Sequence, residues 1–587
     1  MGVRCTFWWL LLGALSPAVA LAQTPRKDVL LAGSPVDGSR PAVASAGDLS
    51  AACWNDSVTE NVYVSTSDEN GLSWSPPVRV DAGPALAGRK TEIWGLAVLG
   101  DSVYVAWKDE RAGGPLDAVF LNVSNNRGAT WIGERRVPDG YPAGVGGIRD
   151  WRMQVEAGAP SNRVYFLMAV EPAPGVDDEL WFVSSSNGGV SFGTPINPSS
   201  LSHGLADVDE IDLQASGLDL YATWHDSRFG AKDEVFFQKS ADGGVSWLVS
   251  DLIVSDSLDA LGADDDLALA VNGSVVAVAM QEETGVLVPE ELRINVSTNA
   301  GGSFGGAIKV GSYVSGTHDV ALDPGSLLVL DDGTIVVAWP DDRLGTNNVY
   351  VSRSTTGGAS WAPDLKLSVT GGNSPRIAAQ GTRVALTWFD GVGVDEAGAT
   401  FSSDSGATWA PTFFVNDTLN GGDVDDPHVA ANANGNFIHV WLEAPTATTD
   451  DVVAGGYTLC PEGTPPASAT FRNGTGVNPA SYTSVNPPIL GQSWQVNLDC
   501  TGYTPSFAFV VVKTSALAGV NTSFGQLLMT GPTLLSLSKP HGGGVAAFST
   551  AVPNSPSLCG LCAPSQGLCL GVPGPQLSNA LDLCLGL

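Results

Sequence analysis

The chain is a succession of short segments in which apolar and polar residues alternate. In one recurrent segment an apolar run ends in a large side chain and leads to an acid: residues 103–109 read VYVAWKD, residues 220–226 LYATWHD and residues 335–341 IVVAWPD. A period of two, with turn residues standing in front, is typical of a β-strand within a hairpin. The large apolar position recurs every 49 to 61 residues, at Trp54, Trp107, Met168, Trp224, Met280, Trp339, Trp388 and Trp441.

A second motif follows most of these strands and has the form Ser-x-Asp-x-Gly-x-x-aromatic, complete at residues 240–247 and 402–409. An Asp or Asn side chain accepts hydrogen bonds from nearby backbone amides and closes a tight turn, while Gly takes a positive φ. The aromatic residue is expected to pack between neighbouring sheets. We therefore predict a structural turn. Its acidic position is filled in seven copies by Glu69, Asn126, Asn187, Asp242, Asn299, Thr356 and Asp404.

The two repeats together predict an all-β fold. A unit of about 55 residues holds four short strands, which is the size of one blade of a β-propeller. Eight strand copies against seven turn motifs favour eight blades, with seven as the alternative. Residues 28–32 resemble the strands that follow the turn motif, so we expect them to complete the last blade and close the ring. The propeller is predicted to span residues 23–460.

Charge and the first residues set the environment. The chain has 587 residues and a formal charge of −33, and all of this net charge falls within residues 1–460. Such a body repels nucleic acid and anionic lipid, because phosphate binding needs clustered Lys and Arg. Residues 1–22 read as a signal peptide, with Arg4 before a short apolar run. We expect a secreted or cell-surface protein that is monomeric and does not insert into membranes.

Residues 461–587 differ from the rest and are predicted to form a separate small β-sandwich. They contain three acids and three bases, and several short apolar strands between Gly, Pro, Ser and Asn turns. An exported chain favours disulfides, although a metal site at Cys559 and Cys562 is the alternative. Cys53 is expected to be a buried free thiol. The sequence does not specify which cysteines form disulfides with each other among Cys460, Cys500, Cys559, Cys562, Cys569 and Cys584.

The turn motifs resemble the Asp-box (BNR) repeats of sialidases and related secreted propellers, over residues 28–458. Segments after residue 472 resemble a C-terminal module of secreted planctomycete proteins. The first resemblance implies a propeller whose functional groups lie on the innermost strands, around one mouth of the central channel. Asp boxes also occur in propellers that are not sialidases, so the resemblance concerns the fold more than the activity.

A sialidase needs three arginines to clamp the substrate carboxylate, a Tyr nucleophile and an acid/base Asp. By blade position the resemblance implies Arg40, Arg152 and Arg376 for the clamp, and Tyr313 for the nucleophile. Residues 39–41 (SRP) lack the aromatic and one intervening residue of the family's first arginine motif. No carboxylate partner for Tyr313 can be chosen. The alternative is that all four are ordinary residues of the rim.

Acids also cluster where the innermost strands are predicted to begin. If their carboxylates converge, they could bind calcium, which takes six to eight oxygen ligands. The alternatives are a solvated rim, or caps for backbone amides of the inner strands. An acidic mouth would repel sialic acid unless arginines lie close by. These rim acids are Glu92, Asp150, Asp209, Asp212, Asp265, Asp266, Asp319, Asp425 and Asp426.

Two classes of function follow. The sequence favours a non-catalytic binding module that presents its channel mouth to a carbohydrate or a protein. The alternative is a sialidase-like exo-glycosidase with divergent catalytic residues. The incomplete arginine motif and the expected acidic mouth are the reasons for the preference.

Overall fold

The computed structural model describes residues 28–586 with short gaps. The description leaves out residues 33–37, 69–70, 84–89, 111–117, 139–146, 174, 202–205, 230–232, 256–263, 284–289, 313–319, 323–324, 392–394, 417–422, 433–434, 447–448, 459–466, 490–492 and 553–557. The predicted signal peptide and domain boundary therefore lie outside the described residues. So do Glu69, Tyr313 and Asp319, and the side chain of Asp265.

Within the described part, residues 28–458 form eight small antiparallel sheets, which we number as blades 1 to 8 from the N-terminus. Each blade's innermost strand contacts the innermost strand of the next blade, and the last contacts the first, so the ring closes. This confirms the all-β propeller fold. The innermost strands are β2 (Gly38–Ala46), β6 (Thr91–Leu99), β10 (Ile148–Glu156), β13 (Val208–Ser216), β17 (Asp264–Asn272), β21 (Leu327–Val329), β25 (Asn373–Gln380) and β29 (Asp423–Ala431).

The remaining strands follow in chain order from the centre of each blade outward. The second strands are β3 (Leu49–Asp56), β7 (Ser102–Asp109), β11 (Arg163–Val170), β14 (Asp219–Asp226), β18 (Val275–Glu283), β22 (Ile335–Asp341), β26 (Arg383–Asp390) and β30 (Asn436–Thr446). The third strands are β4 (Val62–Ser67), β8 (Ala118–Ser124), β12 (Glu179–Ser185), β15 (Glu234–Ser240), β19 (Glu290–Ser297), β23 (Asn348–Ser354), β27 (Glu396–Ser402) and β31 (Thr449–Thr458). The outer strands are β5 (Val78–Arg79), β9 (Arg135–Val137), β16 (Leu252–Ile253), β20 (Ile308–Lys309), β24 (Leu365–Lys366) and β28 (Phe413–Phe414).

Blade 8 takes its outer strand from the start of the chain, as the sequence predicted. Strand β1 (Val29–Ala32) pairs antiparallel with β31, with Val29 opposite Ala454 and Leu30 opposite Val453. An unpaired strand edge exposes backbone donors and acceptors. The pairing satisfies them and joins the two ends of the ring.

The second strands are buried on both faces. Trp107 on β7 and Trp339 on β22 are fully buried, as are nearly all their neighbours along the strand. Each blade packs between two others, so both faces of its central strands meet apolar side chains. The recurrent Trp position therefore forms the core between blades.

The turn motifs are closed as their chemistry predicts. In blade 4, the amide of Gly244 donates to Ser240 Oγ at 2.9 Å, and the amide of Ser246 donates to Asp242 Oδ1 at 2.8 Å. Trp247 then packs edge-on against Phe182 of blade 3, with ring centroids 5.1 Å apart. Equivalent amide-to-side-chain bonds form at Asn126, Asn187, Asn299, Thr356 and Asp404.

The C-terminal residues form two further sheets that share one apolar core, which includes Trp494, Val510 and Leu581. One sheet contains, in order, β32 (Ser468–Arg472), β39 (Gln576–Cys584), β38 (Cys562–Cys569), β35 (Ser506–Thr522) and β36 (Gly525–His541). The other contains β33 (Tyr482–Ser484), β34 (Ser493–Asp499) and β37 (Val545–Ala551). Two packed antiparallel sheets agree with the predicted sandwich.

The C-terminal cysteines form disulfides, as the sequence predicted. Disulfides join Cys500 to Cys569 and Cys562 to Cys584, which excludes the alternative of a metal site at Cys562. Cys53 is a buried free thiol, as expected, and burial raises its pKa. In the part of the chain described, no helix is long and apolar enough to cross a bilayer.

Candidate functional site

A cavity of about 680 Å³ opens among the innermost strands of the propeller. Six blades contribute to it, namely blades 1 to 4, 7 and 8. Its lining combines apolar, aromatic and charged side chains, as ligand pockets usually do. The lining residues are Arg40, Pro41, Ala42, Val43, Ile93, Trp94, Leu96, Arg149, Asp150, Arg152, Asp209, Glu210, Arg376, Asp426 and His428.

The cavity is built from a repeated irregularity of the innermost strands. In seven of the blades the register with the second strand slips near the start of the innermost strand, and five of these slips, in blades 1, 2, 3, 4 and 8, concern the cavity most closely. A β-bulge of this kind leaves a residue out of the ladder and redirects its side chain. The residues within these five bulges include Arg40, Trp94, Arg149, Glu210 and Asp426, and all five line the cavity.

Three of the bulge residues also have an unusual backbone. Arg40, Glu210 and Asp426 have φ of 47°, 39° and 47°. Positive φ is uncommon for residues other than glycine, and such strain concentrates at functional sites. The same local geometry thus places one charged side chain from each of three blades in the cavity.

Trp94 gives the cavity an aromatic surface. Its side chain is 44% exposed and stacks on the buried Trp151, with centroids 6.2 Å apart and planes 18° apart. The guanidinium of Arg152 lies 5.4 Å from the Trp94 ring centre. Gly95 permits this packing, because a Cβ there would lie 2.9 Å from the Cβ of Ala106 and 3.0 Å from the Trp151 ring. Lys108 Nζ lies 5.8 Å from the same ring centre, so Trp94 presents a half-exposed indole to the cavity with two cationic groups beside it.

The three arginines proposed from the sequence line this one cavity. Arg40 forms an ion pair with Glu92 at 3.0 Å, and Lys108 reaches the second oxygen of Glu92 at 2.8 Å. Arg152 pairs with the neighbouring Asp150, and Arg376 donates to the carbonyl of Pro375 at 3.3 Å. Arg149 is a fourth, lying 3.5 Å from Asp178. Tyr313 lies outside the described residues, so the proposed clamp and nucleophile are not seen together.

Two of the rim acids accept hydrogen bonds from backbone amides of the next blade. Asp150 Oδ2 accepts from the amide of Ile211 at 3.0 Å, and Asp212 Oδ2 accepts from the amide of Leu269 at 2.8 Å. These bonds match the alternative in which the acids cap amides of the inner strands. Burial, opposed by the charge of Arg152, raises the pKa of Asp212 to about 6.

The other rim acids form no metal-binding group in the part of the chain that the structure describes. Asp425 accepts from the amide of Asp426, and Asp266 lies on blade 5 near the amide of Leu322, 3.5 Å away. Among the residues that the structure describes, no three His, Cys, Asp or Glu side chains are grouped closely enough to hold a metal ion. The side chain of Asp265 and the whole of Asp319 are outside the described residues, so a calcium site that used either of them is not tested by the structure.

Two cavity carboxyls have opposite environments. Burial, together with the neighbouring carboxylates of Asp150 and Asp209, raises the pKa of Glu210 to about 7. Asp426 is only partly buried, and although burial acts to raise its pKa, a hydrogen bond from His428 and the charges of Arg376 and Arg40 hold that pKa below the ordinary value. His428 Nε2 lies 3.4 Å from Asp426 Oδ1. One side of the cavity thus favours a protonated acid and the other a carboxylate.

The mouth is therefore not simply acidic, in contrast to the expectation from the sequence. Four arginines stand beside four acids in its lining. Trp94 and Glu210 were not proposed from the sequence. One signal could have pointed to some of the bulges: a proline follows Arg40, Ser374 and Asp426 within otherwise strand-like segments, and proline cannot donate to a sheet ladder.

The sequence matches no protein-family model and no curated protein. Several solved structures are similar. An α-L-arabinofuranosidase from Fusarium graminearum is 13% identical, with a TM-score of 0.36 over 53% of this chain and 92% of its own. An ulvan lyase of polysaccharide lyase family PL25 is 10% identical, with a TM-score of 0.39 over 74% and 95%. A mutant NanB sialidase from Streptococcus pneumoniae is 12% identical, with a TM-score of 0.33 over 62% and 67%.

Proposed function

We propose that the cavity binds a carbohydrate, with one saccharide ring packed on the exposed face of Trp94. The observation that carries the proposal is a half-exposed indole inside a cavity that also holds four guanidinium groups. Such a site offers an apolar surface for the C–H face of a sugar and many charged hydrogen-bonding groups for its hydroxyls. Aromatic anchors with a few directed polar groups are the usual composition of a small-molecule site.

We further propose that the protein acts outside the cell and that its C-terminal sandwich, residues 461–587, is a separate domain. The disulfides Cys500–Cys569 and Cys562–Cys584 support an oxidising location. The signal-like residues 1–22 support export.

Affinity electrophoresis in gels that contain a polysaccharide tests the binding. The probes are polygalacturonate, hyaluronan and alginate among acidic polymers, and arabinan, galactan and xylan among neutral ones. At least one of these polymers should retard the protein. Trp94→Ala should raise the dissociation constant, obtained from the dependence of retardation on polymer concentration, by about 30-fold. The reason is that a central aromatic anchor contributes about 2 kcal/mol to the free energy of binding.

The matched control is Phe229→Ala. Phe229 is an exposed aromatic residue, 60% accessible, that does not line the cavity. The Phe229→Ala variant should be retarded as strongly as the wild type. If none of the six polymers retards the protein, or if the two variants behave alike, the cavity is not a carbohydrate site of this kind.

The sialidase-like exo-glycosidase remains a second candidate. It is favoured by Arg40, Arg152 and Arg376, which come from blades 1, 3 and 7 and line the same cavity. Guanidinium groups bind carboxylates through paired hydrogen bonds. Hydrolysis of a fluorogenic sialoside that is abolished by Arg376→Ala and by Tyr313→Phe would establish it. A wild-type protein without activity on that sialoside would dismiss it.

A further inference from the structure

We propose that the cavity hydrolyses a glycosidic bond, with Glu210 as the general acid and Asp426 as the general base. This inference rests on the proposed function, because it requires a saccharide in the cavity. It differs from the sialidase-like candidate, which depends on a tyrosine nucleophile.

The same feature, a β-bulge near the start of an innermost strand, places the two carboxyls on opposite sides of the channel. Each is a bulge residue with positive φ, and each lines the cavity. Glu210 lies on blade 4 and Asp426 on blade 8, which are four steps apart in either direction around the ring of innermost strands. A saccharide in the cavity would therefore lie between them.

Glu210 is the side chain suited to deliver a proton. It is partly buried, and the carboxylates of Asp150, Asp209 and Asp266 act on it from strands β10, β13 and β17, while Arg152 opposes them. Its pKa of about 7 keeps a proton on the carboxyl near neutral pH. A general acid is most effective when its pKa lies close to the working pH.

The neighbouring acid Asp150 is not suited to this role. Its two oxygens accept from the amides of Trp151 and Ile211, and it pairs with Arg152. These bonds commit both of its oxygens to the backbone of blades 3 and 4 and to Arg152. Asp209, the third cavity acid on this side, accepts from the amide of Glu210 at 2.9 Å. Within the described part of the chain, Glu210 is the one of these three acids that accepts from no backbone amide.

Asp426 is the side chain suited to take a proton. His428 contacts it at 3.4 Å, and the charges of Arg376 on blade 7 and Arg40 on blade 1 also favour its ionised form. Environments that drive two carboxyls of one site apart in pKa are the usual signature of an acid and base pair.

The reaction balances with water as the second reactant. Glu210 gives its proton to the glycosidic oxygen as the bond from that oxygen to the anomeric carbon breaks. Asp426 takes a proton from water as the water oxygen bonds to the same carbon from the opposite face. The products are an alcohol and a sugar with a new reducing end, and solvent returns the proton from Asp426 to Glu210. Attack by water from the face opposite the leaving oxygen inverts the anomeric carbon.

The full-length protein is incubated with each of the six polymers named above, and the new reducing ends are measured. Wild type should release them from the polymer that retards it, with the rate falling as pH rises through about 7. Glu210→Gln and Asp426→Asn should each slow release about 100-fold or more while the gel retardation and the melting temperature stay near wild type. The matched control is Glu156→Gln, since Glu156 caps the amide of Gly217 at the far end of β10.

Proton NMR of the first product identifies the anomer, and inversion is expected. The inference is overturned if a polymer that retards the protein yields no reducing ends, or if Glu210→Gln is as active as Glu156→Gln. In either case the carbohydrate-binding proposal stands. If no polymer retards the protein, both proposals fail together.

Discussion

Replacing His439 by phenylalanine should stabilise the propeller, and more so in acid. His439 lies on β30 of blade 8 with no exposed surface, and its ring is 5.3 Å from that of Tyr457. Neither ring nitrogen has a hydrogen-bond partner among the residues that the structure describes. A buried polar group without a partner costs about 1–3 kcal/mol. The variant keeps an aromatic ring of similar size and removes that cost.

The pH dependence follows from the depressed pKa of this histidine. Burial lowers the pKa of His439 from 6.5 to about 3 in the folded state. The unfolded chain therefore binds a proton that the folded chain excludes, so this residue's contribution to stability is lost as pH falls from about 6.5 towards 3. With 1.36 kcal/mol for each pH unit, the loss at pH 5 is about 2 kcal/mol. His439→Phe should therefore gain about 2 kcal/mol more at pH 5 than at pH 7.5.

Urea denaturation at both pH values, followed by tryptophan fluorescence, measures the difference. Phe437→Leu is the matched control, because it changes a buried ring on the same strand without changing a titratable group. Phe437→Leu should change the free energy of unfolding by the same amount at the two pH values. Comparing variants removes the opposite contribution of Glu210, whose raised pKa adds stability as pH falls. An equal gain for His439→Phe at pH 5 and 7.5 would refute the reasoning.

Two further predictions concern stability. Gly244→Ala should lower the free energy of unfolding, measured in urea, by about 2 kcal/mol more than Gly217→Ala does. Both glycines have positive φ, but only at Gly244 would a Cβ clash with the ring of Phe182; similar costs would contradict the packing account. The double variant Cys500→Ser/Cys569→Ser should unfold at lower urea than Cys562→Ser/Cys584→Ser, by about 1 kcal/mol, since the first disulfide closes a separation of 69 residues and the second one of 22; the reverse order would contradict a loop-entropy origin.

The blade repeat could be predicted because its signals are local. A turn motif such as residues 240–247 carries its hydrogen-bonding side chain, its glycine and its aromatic residue within eight positions, so the sequence alone specifies the corner. The buried Trp107 and Trp339 recur at the same place in each unit. The strand β1 was also identifiable, because it resembles the strand after each turn motif.

The cavity could be predicted only in part. Counting blades placed Arg40, Arg152 and Arg376 near the channel, and all three line it. The sequence analysis did not place Trp94 and Glu210 in the cavity, because the position of a bulge depends on how two strands pair. A slip of the pairing by one residue exchanges the face of the sheet to which a side chain points. The cap roles of Asp150 and Asp212 likewise depend on amides about 60 residues further along the chain. Nothing in the local sequence indicates such partners.

A crystal structure of Glu210→Gln with a bound oligosaccharide from the retarding polymer is the most direct measurement of the central claim. We predict a saccharide ring parallel to Trp94 at about 4 Å, the usual van der Waals separation of carbon atoms, and a glycosidic oxygen within hydrogen-bond distance of Gln at position 210. An oligosaccharide bound elsewhere, with the indole of Trp94 bare, would contradict the claim that this cavity is the carbohydrate site.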